Sequence, residues 1–159
     1  MAKNLIKIIA IIGVAVIQIL LMPHFALYGV WPNLSLILAL MLLFFNADPE
    51  ALFAASLGGV ILDLASPLTF GLFTASLILI TLAIKLLMSK FFNEPNVFIM
   101  IFIMALALVT SNGLESLLAR QFSPIIILIN VIYGLLISLL FYRLLNFWMD
   151  RSQGIRFKI

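Results

Sequence analysis

The chain contains no cysteine and a single histidine. That excludes disulfides, thiolate metal sites and a cysteine nucleophile, and one imidazole cannot build a His-rich metal site. It says nothing about compartment. Charge is equally scarce: of 159 residues, 9% are Asp, Glu, Lys or Arg, against about 25% in soluble domains. No nucleophile stands beside a base, no two carboxylates have glycosidase-like spacing, and there is no phosphate loop and no H-E-x-x-H. This inventory is too small for most hydrolytic or transfer chemistry, so neither an enzyme nor a cofactor is expected, and no catalytic or metal-binding residue is assigned. Transport stays open, because it needs only a cavity. The net charge of +3 does not point to nucleic acid, since the basic residues sit at segment ends and form no run.

What the chain has in abundance is apolar side chains, 65% of the total. A water-soluble surface cannot be assembled from so few charges, and the chain reads as an integral membrane protein. Lys3 and Lys7 precede the apolar run Ile8–Leu21, in the manner of a signal peptide. No A-x-A-like cleavage site follows, only Met22-Pro23-His24-Phe25, so the segment reads as a retained first helix. Polar breaks divide the chain into six apolar segments, 5–21, 34–45, 51–65, 72–88, 97–114 and 125–147. Several fall short of the roughly 20 residues that cross about 30 Å of hydrocarbon. Short spans are acceptable inside a bundle or where the bilayer thins. The runs are continuous and do not alternate, which favours helices over a barrel.

The breaks carry helix-start chemistry. Asp48-Pro49-Glu50 offers an N-cap, a proline in the first turn and an acid behind it, and Asn93-Glu94-Pro95 and Ser123-Pro124 repeat the idea. With the N-terminus in the cytoplasm and six crossings, Lys3, Lys7, Lys85, Lys90, Arg143, Arg151, Arg156 and Lys158 fall on the cytoplasmic side and only Arg120 outside. This asymmetry predicts an all-α six-helix transmembrane bundle with both termini inside. Trp31 and Trp148 then mark the two interfaces. No internal repeat or linker interrupts the chain, so residues 1–159 read as a single membrane domain.

Asp63 needs an explanation, because a charge among lipid-length apolar segments costs about 2.5–3.5 kcal/mol on insertion scales. It stands at the end of its helix, where a negative charge opposes the macrodipole. A compensating partner is therefore expected in Arg120, in the turn around Ser66 or in water. Three readings stay open: a wet interfacial carboxylate, an anchor for the turn, and a proton- or ion-coupling group, the last weakened by the lack of a second acid nearby. Ala51, Ala55 and Gly59 repeat every four residues and Asp63 continues the row, while Ala54 and Gly58 form a second one. Small residues let helices approach closely, within the bundle, against a partner helix or in a homo-oligomer. Glu115 and Arg120 form the most polar outer patch, read as a cavity wall, a partner contact or a solvated loop. His24 reads as an exposed loop residue, and Lys85 as a side chain snorkelling to the interface.

Pro32-Asn33 opening the second helix, then Gly59-x-x-x-Asp63-x-x-Ser66, then Gly71 opening the fourth, resembles the rod-shape-determining MreD family. The resemblance extends to length, to six apolar segments and to a basic C-terminus; Pro67 is a variation on the turn. It implies a non-enzymatic subunit of the bacterial cell-elongation machinery in the inner membrane, working with the single-span MreC, the actin-like MreB, the RodA glycosyltransferase and a penicillin-binding transpeptidase. It also implies a fold similar to the substrate-binding subunits of ECF vitamin transporters. The rival classes are a small-ligand-binding transporter subunit of that type, disfavoured by the shortage of convergent polar and aromatic groups, and a lipid-interacting subunit.

Overall fold

The computed structural model describes residues 2–26, 31–66, 70–91, 96–118 and 123–150. Among them are six α-helices and no strand: α1 (Ala2–Leu20), α2 (Leu34–Phe44), α3 (Asp48–Ala65), α4 (Leu72–Phe91), α5 (Val97–Leu118) and α6 (Pro124–Asp150), with a short 3₁₀ turn at Met22–Phe25. The fold is all-helical, and three helices are long and apolar enough to cross a membrane, over Leu72–Lys90, Val97–Ser116 and Pro124–Leu144.

Helix α2 organises the rest. Its 11 residues rise only about 16 Å, roughly half a hydrocarbon thickness. All but Leu42 are buried. It touches every other helix, and the remaining five follow one another around it in the order α1, α3, α4, α5, α6. The ring does not close, because α1 and α6 make no contact along their described lengths. The core is built where α2 meets its neighbours, from Leu36, Ile37, Leu40 and Met41 against Leu77 of α4 and Met100, Ile103, Met104 and Leu108 of α5. The outer faces are apolar too. Exposed Ile9, Val16 and Leu20 on α1, Phe98 and Phe102 on α5, and Ile132, Leu136 and Leu140 on α6 make a surface suited to lipid.

Successive helices run antiparallel. Gly59 lies against Thr74 and Asp48 against Lys85 across α3 and α4, while Asn112 meets Asn130 and Leu108 meets Gly134 across α5 and α6. The N-terminus of α2, the C-terminus of α3 and the N-terminus of α4 therefore share one end with the α5–α6 turn. Phe45 stacks on Tyr142 at the other, with ring centroids 6.0 Å apart.

Two local expectations change. Asp48 is not an N-cap: α3 already includes it, and the cap residue is Ala47, which contributes no side-chain bond. The cause is the tight exit from α2. Asn46 takes φ 54°, its N–H bonds the Leu43 carbonyl, and the Ala47 N–H bonds the Leu42 carbonyl. This is a Schellman ending, with Asn in the left-handed position. It delivers the chain directly into α3, and the Asp48 carboxylate turns to the Lys85 ammonium at 2.8 Å. Lys85 is thus ion-paired across α3 and α4. The tail after Asp150 and Asn93-Glu94-Pro95 lie outside the described residues.

Candidate functional site

Gly59, Asp63 and Gly71 lie at the end of the bundle where α3 hands over to α4. Helix α4 begins after Gly71, whose φ of +95° is open to glycine and strained for other residues. Its carbonyl accepts the first helical bond, from the Ala75 N–H at 2.9 Å, so Gly71 occupies the capping position. A glycine has no side chain to cap the next N–H groups. Asp63, eight residues earlier on α3, supplies the missing acceptor. Its Oδ1 accepts from the Phe73 N–H at 2.8 Å, and its Oδ2 from the Thr74 N–H at 3.0 Å and the Thr74 hydroxyl at 2.5 Å. These are the second and third residues of α4, the donors an N-cap side chain normally satisfies.

Among the described residues, the partner of Asp63 is therefore the start of α4; Arg120, one of the expected candidates, lies outside them. The macrodipole conflict at the end of α3 is resolved by the favourable end of α4. Bonds to a charged acceptor contribute about 1.5–3 kcal/mol each, so this joint outweighs the dipole term. With both oxygens committed to α4, the carboxylate serves as a brace.

Gly59 makes the brace geometrically possible. A Cβ built there would lie 2.5 Å from the Thr74 Cα and 2.9 Å from its nitrogen. The α4 backbone thus passes one turn below Asp63 at a distance only glycine allows. Gly58 does the same on the α2 side, where a Cβ would fall 2.8 Å from the Ser35 Cβ. Ser35 in turn donates both its N–H, at 2.9 Å, and its hydroxyl, at 3.2 Å, to Gln18 Oε1 of α1. The Asn33 side chain caps α2 by accepting from the Leu36 N–H at 3.1 Å, with Pro32 buried before it. Ala51, Ala54 and Ala55 are buried along the same helix. Ser66 ends α3 in an extended conformation.

Of the residues singled out, Gly59, Asp63 and Gly71 form the joint between α3 and α4, while Asn33 caps α2 after the buried Pro32, Ala55 is buried one turn before Gly59, and Ser66 ends α3. Of the polar patch, Glu115 accepts from the Ser111 hydroxyl at 3.2 Å, and Arg120 lies outside the described residues, as does Pro67. The exposed His24 ring bonds the Leu20 carbonyl at 3.1 Å, at the end of α1.

Sequence reasoning missed Thr74, Gln18 and the Asn112–Asn130 pair. Thr74 was legible in principle, because a helix opened by glycine leaves its first N–H groups without a local side-chain acceptor. Gln18 carried a signal as well, an amide deep in an apolar run that must find a partner. Among the described residues no group of three or more His, Asp or Glu lies close enough to hold a metal ion. The chain matches no family model, no curated protein and no solved structure.

Proposed function

We propose that the chain is a non-enzymatic scaffold subunit of MreD type, a six-crossing protein of the bacterial inner membrane with both termini in the cytoplasm. It binds an MreC-like single-span protein and, with MreB, RodA and a penicillin-binding transpeptidase, helps position peptidoglycan synthesis during elongation. The observation that carries this reading is the convergence of Gly59, Asp63 and Gly71 on one hydrogen-bonded joint. Asp63, Gly59 and Gly71 lock two helices together and present no group to a substrate. A subunit whose polar residues are spent on internal geometry suits assembly better than turnover. The one-sided distribution of Lys and Arg supports the orientation.

The test is association and shape. Gly59→Leu forces α3 away from α4. It is expected to lose co-purification with an MreC-like protein and to give rounded cells in a host that depends on the chain. Normal co-purification and normal rods in that variant would refute the scaffold reading. Neighbouring genes for MreB- and MreC-like proteins are the cheapest independent check.

A further inference from the structure

Two carboxylates lie at the same end of the bundle and are held in opposite ways. Asp63 has three donors within 3.0 Å, all from another helix. Among the described residues Glu115 has one, the Ser111 hydroxyl of its own helix at 3.2 Å. The α5–α6 contact does not need it, because the hairpin is clamped one turn deeper. There Asn130 Nδ2 donates to Asn112 Oδ1, and Asn112 Nδ2 donates to the Leu108 carbonyl at 2.7 Å. Asn130 is only 4% exposed, and its Oδ1 has no partner among the described residues. Asn112 and Glu115 are three residues apart, about 4.5 Å along the axis. Among the described residues, the mouth of the hairpin therefore carries a half-buried carboxylate above an unused amide oxygen, with fewer donors than acceptors.

Charge and hydrogen bonding both call for a cation that brings N–H groups. The surroundings say how it arrives. Glu115 is the penultimate residue of the apolar span Val97–Ser116. In the register set by Asn112–Asn130 and Leu108–Gly134 it is level with Ile127. Leu114, Ile125, Ile126 and Leu128 around that level are all exposed. A ligand reaching Glu115 from this side meets the carboxylate with its head and apolar side chains with its body.

We propose that Glu115, with the Asn112–Asn130 pair beneath it, is a headgroup site for an aminophospholipid. The protonated primary amine donates to the free face of the carboxylate, and an acyl chain lies along the exposed residues of α5 and α6. The buried Asn130 oxygen adds negative potential without contacting the lipid. This proposal is independent of the scaffold reading.

Native mass spectrometry of the purified chain with matched palmitoyl-oleoyl lipids tests it. Phosphatidylethanolamine is expected to be retained about fivefold over phosphatidylcholine, as fits one hydrogen bond to the carboxylate near an interface. The quaternary ammonium keeps its charge but cannot donate. Glu115→Gln is expected to abolish the preference, and Asp63→Asn to leave it unchanged, because the Asp63 carboxylate faces α4. If Glu115→Gln does not fold, the N-methylation series on the unmodified chain decides, with retention falling at each methyl. Equal retention of the two lipids, or a preference that survives Glu115→Gln, would overturn the proposal. Displacement of the lipid by millimolar ethanolamine would also overturn it, in favour of a soluble amine.

Discussion

Replacing Gly59 with alanine adds one methyl group to a helix that alanine should favour by about 1 kcal/mol. The geometry reverses that sign. The new Cβ would lie 2.5 Å from the Thr74 Cα, where ordinary contact starts at 3.4 Å, so α4 must withdraw by about 0.9 Å (3.4 minus 2.5). The Thr74 N–H bonds Asp63 at 3.0 Å. A shift of that size along the bond stretches it to about 3.9 Å, past the range of a hydrogen bond. Overpacking costs about 1–3 kcal/mol, and losing one bond to a charged acceptor about 1.5–3 kcal/mol. Less the gain in helix propensity, Gly59→Ala should destabilise the fold by about 1.5–5 kcal/mol. Gly13 is the control, because a Cβ there meets nothing within 4 Å. Gly13→Ala should therefore be neutral or stabilising by up to about 1 kcal/mol. Unfolding titrated with dodecyl sulfate in mixed micelles and followed by tryptophan fluorescence measures both. A Gly59→Ala variant as stable as the parent would refute the close-approach argument, and equal effects at the two positions would refute its dependence on Thr74.

The same titration checks the other expectations. Asp63→Asn should cost about 1–2 kcal/mol and Asp63→Leu about 3–5 kcal/mol, because an amide keeps one acceptor while leucine strands three donors; equal losses would point to a role for the charge itself. Gly71→Ala should cost about 1–2 kcal/mol, because φ of +95° strains any residue with a Cβ; an unchanged midpoint would contradict that conformation. Asn46→Gly should be neutral, while Asn46→Val loses about 1–2 kcal/mol at the left-handed exit of α2. Lys85→Ala should cost less than about 1 kcal/mol, because both partners of its ion pair with Asp48 are more than a third exposed; a larger loss would show the pair to be shielded from water.

The amino-acid sequence by itself determined the class of the protein and its helical layout. Scarce charge and continuous apolar runs leave no soluble alternative, and Asn33 before α2 and Gly71 before α4 mark helix starts through chemistry that acts within a few residues. The row Ala55, Gly59, Asp63 was legible for the same local reason, since a four-residue spacing puts side chains on one face of a helix. Its meaning was not. Which backbone lies 2.5 Å from a Gly59 Cβ, and which N–H groups meet Asp63, depends on how α4 returns along α3. The burial of α2 was hidden likewise: a short apolar helix looks the same in sequence at the centre of a bundle or facing lipid, because without water the apolar pattern does not separate the two. Only the tertiary arrangement decided that α2 is the axis. It also decided that Asp63 caps the helix after its own, and that Glu115, at the same end, has one neutral donor among the described residues.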